Sequence, residues 1–262
     1  MENRPWQRHY DYNVPTSIRY PRIPAHELIN LPAGSYPNKP ATNFFGTEIT
    51  FYELRAQILR MANALGAMGV KKGDRVGVHL PTSPQYIVAY YAALSVGAIV
   101  VNLNPMYTVD ELKALTSNTG VSTLFTFDMV LPNVRPLCQD VEISRVIVTR
   151  VTDFVDGLGQ STPQELDLEE GLHHFSQLLE KTPNTNLPRV EVVPEDPALI
   201  QFTGGTTGLP KGAVLTHANV VAATLQCTLW GSATMGLTPP EQRKVLAVMP
   251  SFLSSCSSSA LG

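Results

Sequence analysis

Between Arg75 and Leu103 the chain carries two short apolar runs on either side of a capped helical stretch, and no other feature restricts its fold as much. Arg75-Val-Gly-Val-His-Leu80 has the length and character of a strand. Ser83 and Pro84 then stand as N-cap and first helical position, which predicts a helix through about Ser95, closed by Gly97. Ala98–Leu103 is a β-branched run suited to a parallel strand buried on both faces. Strand, helix and strand in this order make one βαβ unit, and such crossovers are right-handed almost without exception. The 34 residues from Val76 to Val109 contain no Asp, Glu, Lys or Arg. Their apolar centre, Tyr86–Val101, is only 16 residues long and is interrupted by Ser95 and Gly97. A membrane-spanning helix needs about 20 apolar residues, so the stretch reads as buried interior and not as a span.

The same alternation continues outward. Ala41–Phe45 and Thr47–Thr50 flank Gly46 as a short hairpin. Thr50 and Glu53 have the spacing of a capping box, and Leu54, Ile58, Met61 and Leu65 behind them form one helical face that stops at Gly69. Asp110–Asn118 reads as a helix, and Ser122–Phe127 and Val146–Thr149 read as strands. Alternating strands and helices predict an α/β layered fold. Residues 1–40 lack sustained periodicity and are expected to wrap over the core. Residues 151–190 read as an exposed acidic excursion with one short helix, ending in the linker Lys181–Pro188. A boundary near residue 190 divides a first α/β subdomain, 1–190, from the start of a second, 191–262.

Composition narrows the function. Nineteen basic against 22 acidic residues leave a formal charge of −3, which argues against a nucleic-acid surface. The three cysteines, Cys138, Cys227 and Cys256, are too far apart for a disulfide framework or a zinc spacing and fit a reducing, cytoplasmic location. The N-terminus has no apolar run of the kind a secretory signal carries.

The chemistry concentrates after the apolar run Ala198–Phe202. Thr203-Gly-Gly-Thr-Thr-Gly-Leu-Pro-Lys-Gly212 places four glycines, three threonines and one lysine in ten residues. Glycines let several backbone N–H groups converge on one concavity, and such a nest suits phosphate oxygens. Lys211 adds positive charge. A P-loop would need Gly-Lys-Ser/Thr, whereas here Pro210 precedes Lys211 and Gly212 follows it.

Thr203–Gly212 resembles the phosphate-loop signature of the acyl-adenylate-forming superfamily, and its Thr-Gly-Gly-Thr-Thr-Gly form resembles bacterial long-chain fatty-acid–CoA ligases. The flanks Pro194–Phe202 and Ala213–Asn219 are similar too, as are Gly69–Val76, Gly97-Ala98 and Asn102-Leu-Asn-Pro105. The resemblance implies layered α-β-α subdomains from the N-terminal region of an adenylate-forming enzyme, incomplete at the C-terminus. It implies an activity on Mg-ATP, a fatty or other carboxylic acid and coenzyme A, passing through an acyl-adenylate to a thioester. A non-catalytic nucleotide- or acyl-binding remnant, an aryl-CoA ligase and a fatty-acyl-AMP ligase remain alternatives. By resemblance, Thr203, Gly204, Gly205, Thr206, Thr207, Gly208 and Lys211 hold the β- and γ-phosphates, while no catalytic residue and no protein metal ligand is assigned. The family also leaves open peripheral contact with the inner face of the membrane and a homodimer of the full-length protein.

Several side chains invite a functional reading but are expected to be structural. His217 is read as capping or packing at a helix start, with a place near the acyl or nucleotide site as the alternative. His173 and His174 are expected to be solvated, Cys227 to be a core cysteine of the apolar run Val220–Trp230, and Tyr90-Tyr91 to pack. The family's magnesium, ribose and lid motifs do not occur after Gly212. Val245–Pro250 resembles a family strand, but six of the last twelve residues, 251–262, are serine, which is expected of a disrupted or truncated reading frame. From Gly212 onward only Glu241, Arg243 and Lys244 are charged, so this fragment is expected to be inactive alone and to expose apolar surface.

Overall fold

A computed structural model describes residues 4–12, 14–140, 143–155, 171–203, 210–231, 237–239 and 242–247. Its centre is the βαβ unit. Strand β3 (Arg75–His79) pairs in parallel with β4 (Ile99–Asn102), and helix α3 (Pro84–Ser95) joins them. The hydroxyl of Ser83 accepts the Tyr86 N–H at 3.3 Å, and Pro84 occupies the first helical turn. Gly97, at φ +72°, closes the helix: its N–H donates to Leu94 and that of Ala98 to Ala93. A side chain at this φ would be strained, and its Cβ would also meet Lys72 Cγ at 3.0 Å.

Ahead of this unit, β1 (Pro40–Phe44) and β2 (Thr47–Thr50) form the expected antiparallel hairpin, and α2 (Phe51–Ala67) follows. Its capping box is closed. Thr50 Oγ1 accepts from the Glu53 N–H at 3.2 Å, and Glu53 Oε2 accepts from the Thr50 N–H at 2.9 Å. Leu54, Ile58, Met61 and Leu65 are buried as their spacing requires. The wrapping segment contains a helix that the sequence pattern hid, α1 (Glu27–Ser35), which buries Ile29 and Ala33 around an internal Pro32.

Beyond β4 come α4 (Val109–Thr119), β5 (Val121–Phe127), α5 (Leu131–Asp140), β6 (Arg145–Thr149), β7 (Leu172–His174) and α6 (Phe175–Lys181). Helix α5 was not expected; Pro136 lies inside it and interrupts the local helical signal. The last elements are β8 (Pro197–Thr203), β9 (Lys211–Thr216) and α7 (His217–Trp230). The large sheet has seven strands in the order β7-β6-β5-β3-β4-β8-β9, all parallel except β9. Residues on both sides of position 190 therefore share one sheet through the β4–β8 pair.

Strand alternation divides the core between the two faces of the sheet. Val76, Val78, Val100, Phe125, Ile147 and Leu199 pack with α2, α3 and Val221 of α7. Val101, Leu124, Val146 and Val148 pack with Leu112 and Leu115 of α4 and with Leu131, Val134 and Leu137 of α5. The result is a helix–sheet–helix sandwich, as the alternation in the sequence requires. Tyr90 and Tyr91 lie in its interior and pack, with burial pushing both phenols well above their ordinary pKa.

Three expectations are corrected. His173 and His174 sit half-buried on the edge strand β7, because residues 172–174 pair with β6 instead of forming a solvated loop. Burial, helped by Arg145, lowers the pKa of His173. Cys227 is exposed, since α7 turns Val220, Val221 and Thr224 inward and leaves position 227 on the outer face. Over the described residues 245–247 the expected strand does not form, and Val245 and Leu246 are exposed.

Candidate nucleotide site

Strand β8 runs parallel to β4, so the chain leaves its last residue, Thr203, at the carboxyl edge of the sheet. Open α/β sheets place their ligands on that edge, next to the point where strand order reverses. Here β3 lies between β4 and β5, so the connection from β4 to β5 crosses back over β3.

The chain returns as the antiparallel strand β9, which was not read from the sequence. Ile200 faces Val214, Phe202 faces Gly212 and Thr203 faces Lys211. Gly212 is required by close approach: a Cβ there would lie 2.9 Å from Ile200 Cγ2 and 3.3 Å from Phe202 Cε1. The hairpin thus brings together two of the predicted phosphate ligands. The Thr203 hydroxyl donates to the Lys211 carbonyl at 3.3 Å, and both residues are exposed. Gly204, Gly205, Thr206, Thr207 and Gly208 lie outside the described residues. A lysine and a threonine hydroxyl exposed at adjoining strand ends are groups that attract an anion.

On the sheet face that Gln201 shares with Thr203 lies a buried polar chain. Tyr86 Oη donates to Asn102 Oδ1 at 2.8 Å, and Asn102 Nδ2 donates to Gln201 Oε1 at 2.8 Å. The available signal was a carboxamide in each of two otherwise apolar strands, since a buried amide needs a partner.

Helix α7 begins directly after β9. Thr216 is its N-cap, in a reciprocal box with Asn219, so His217 does not cap. His217 packs instead, fully buried, with Nδ1 accepting the Ala25 N–H at 3.1 Å. Its ring is perpendicular to that of His26 at a centroid distance of 6.4 Å. Burial, with a contribution from His26 and against the pull of Asp196, pushes the His217 imidazole down to about 4.

Among the described residues no group of three or more His, Cys, Asp or Glu could hold a metal ion, and no helix is long and apolar enough to cross a membrane.

Fold and hairpin together define an α/β protein with a mainly parallel sheet, whose strands β8 and β9 flank a segment rich in glycine. The chain belongs to the AMP-binding enzyme family, whose profile matches residues 31–258. It is 33% identical over 264 residues to a long-chain-fatty-acid–CoA ligase of Bacillus subtilis (strain 168), covering 96% of this chain and 46% of that protein. It is 32% identical over 223 residues to 4-coumarate–CoA ligase 2 of Oryza sativa subsp. japonica, covering 82% of this chain and 37% of that protein. The crystal structure of a long-chain-fatty-acid–CoA ligase from Archaeoglobus fulgidus superposes with a TM-score of 0.77 at 29% identity, covering 96% of this chain and 47% of that one. The chain therefore spans about half the length of the curated relatives it matches.

Proposed function

We propose that this chain is the nucleotide-gripping part of an AMP-forming long-chain fatty-acid–CoA ligase and is inactive or nearly so alone. The observation that carries the reading is the pairing of Thr203 with Lys211 at the neck of the glycine–threonine loop. The similarity to the Bacillus subtilis ligase across nearly the whole chain supports it.

In this reading Thr203, Gly204, Gly205, Thr206, Thr207, Gly208 and Lys211 hold the β- and γ-phosphates of ATP. As a fatty-acid carboxylate attacks the α-phosphorus, negative charge grows on the departing pyrophosphate. Donors already aimed at that position stabilise the charge with little reorganisation. Lys211 contributes a fixed cation whose attraction rises as charge moves onto the leaving group. Magnesium, when bound with the nucleotide, neutralises phosphate charge; the described residues supply no carboxylate cluster for it, and no step here depends on it. Coenzyme A enters as the co-substrate whose thiol takes the acyl group from the adenylate. Division into a first subdomain, 1–190, and the beginning of a second, 191–262, belongs to the same proposal. So do a cytoplasmic location, peripheral contact with the inner membrane face and a homodimer of the longer protein.

Acid-dependent exchange of labelled pyrophosphate into ATP tests the reading. It is run on the 262-residue chain and on a fusion to the remaining half of the Bacillus subtilis relative. Palmitate-dependent exchange in the fusion, and little in the chain, is the expected result. Exchange with 4-coumarate but not palmitate selects an aryl-CoA ligase. Absence of exchange with either acid, in a fusion that folds, favours a non-catalytic binding module.

A further inference from the structure

The backbone ladder between β4 and β8 is short. It carries two register pairs, Val100 with Leu199 and Val101 with Ile200, and stops there. The neighbouring pairs β3–β4 and β5–β6 carry four and five. Immediately past the last register pair, the two strands are also joined through side chains, by the Asn102 Nδ2 to Gln201 Oε1 bond of 2.8 Å. Both residues are buried, at 2% and 4% exposure, so the bond is shielded from competing water. The Tyr86 hydroxyl, from the first turn of α3, holds the other end of the Asn102 amide. Gln201 sits opposite Ala213 of β9 and two residues before Thr203, so its side chain shares a sheet face with that of Thr203.

We infer that the Tyr86–Asn102–Gln201 chain is a clamp that fixes where β8 leaves the sheet, and that Gln201 is thereby a positioning residue for the hairpin mouth formed by Thr203 and Lys211. Its role in phosphate binding rests on the function proposed above; its role in holding the hairpin does not. The clamp extends a two-pair backbone ladder with a buried side-chain bond, next to the strand end that carries Thr203. A hairpin hung on two rungs would swing, and the donors at its mouth would lose their aim. Gln201 touches no reacting atom in this scheme and acts through the loop it holds.

The experiment compares Gln201→Leu, Gln201→Glu and Thr126→Val in the 262-residue chain. Glutamate keeps an acceptor for Asn102, whereas leucine fills similar space without one. Thr126→Val cuts a different buried side-chain bond, between Thr126 Oγ1 and His79 Nδ1 at 3.1 Å, which links β5 to β3 away from the hairpin. Amide hydrogen exchange is read at Lys211, Gly212 and Ala213 and, as reference, at Val76 and Val78. Gln201→Leu should raise hairpin exchange at least tenfold with the reference amides unchanged. Gln201→Glu should restore most of the protection, and Thr126→Val should leave the hairpin as it was. Equal hairpin exchange in Gln201→Leu and the parent, or an equal rise in Thr126→Val, overturns the clamp. Binding of Mg-ATP is measured on the same proteins, with at least a tenfold weakening expected in Gln201→Leu alone. If the parent shows no Mg-ATP affinity while the exchange pattern holds, the clamp stands and the phosphate reading falls.

Discussion

The backbone N–H of Ala25 donates to Nδ1 of His217 over 3.1 Å, a buried bond between residues 192 apart in the chain. It fastens the N-terminal wrapping segment to the first turn of α7, and the His217 N–H in turn donates to the Asp196 carbonyl at 3.1 Å. His217→Leu keeps the volume but leaves the Ala25 N–H without an acceptor. An orphaned buried donor costs about 1–3 kcal/mol, and a loss of that size is expected in urea unfolding. A variant as stable as the parent would show that water replaces the ring as acceptor.

Acid should weaken the fold through three buried imidazoles, one of them His26, whose pKa burial lowers. Burial pushes His79 down to about 4 against the opposing backbone of Asn104, and His217 is likewise held down to about 4. Both start from an ordinary value of 6.5, so between 6.5 and about 4 the unfolded chain binds protons that the folded one refuses. Their contribution is whole above pH 6.5 and is lost as pH falls toward 4, at up to about 1.4 kcal/mol per pH unit for each histidine. Urea midpoints at pH 7.5, 6 and 5 report the slope. His79→Gln should flatten it; identical midpoints at pH 7.5 and 5 in the parent would mean that the rings protonate in place.

Helix α4 depends on its N-cap, Thr108. Thr108 Oγ1 accepts from the Glu111 N–H at 3.3 Å, and Glu111 Oε2 accepts from the Thr108 N–H at 2.8 Å. Those backbone and hydroxyl bonds from Thr108 lower the Glu111 pKa. Thr108→Ala should cost about 1 kcal/mol, and Thr108→Ser almost nothing. Thermal melting of the two variants side by side decides it, and equal losses would point to the lost methyl group instead of the cap.

These caps show how much of the fold is legible locally. Thr50–Glu53, Ser83-Pro84 and Gly97 mark helix ends with short-range chemistry, and all three operate as their spacing implies. The alternation of apolar runs fixes the layered fold for the same reason, since each run must bury a face. Elements that fail local rules stay hidden. Helix α5 contains Pro136, β9 is largely exposed, and the inward face of α1 is interrupted by Pro32. Each is held by packing on another element, α1 on α2, α5 on α4 and β9 on β8, that its own residues do not announce. At the candidate site, Thr203 and Lys211 announce themselves by residue type, and their pairing across the hairpin neck becomes visible only in the fold. Gln201 and Asn102 are legible in neither way, because one amide in an apolar strand points to a partner without saying which.

Lys211 gives the sharpest test of the site. It begins β9, exposed, and pairs with Thr203 through its backbone, its carbonyl accepting the Thr203 hydroxyl at 3.3 Å. Replacing the side chain should therefore leave the hairpin intact: Lys211→Met is expected to alter unfolding by less than about 0.5 kcal/mol. Binding should respond quite differently. A cation facing phosphates contributes through charge, so Lys211→Met should weaken Mg-ATP at least tenfold, an estimate from the about 1.5–3 kcal/mol of a hydrogen bond to a charged group. Adenosine, which lacks phosphates, should bind both proteins alike. Lys211→Arg should recover part of the affinity, with a salt dependence close to that of the parent. If Mg-ATP and adenosine weaken together, the substitution has distorted the hairpin. If neither changes, the ammonium points away from the nucleotide, and the loop grips its ligand through backbone N–H groups and threonine hydroxyls alone.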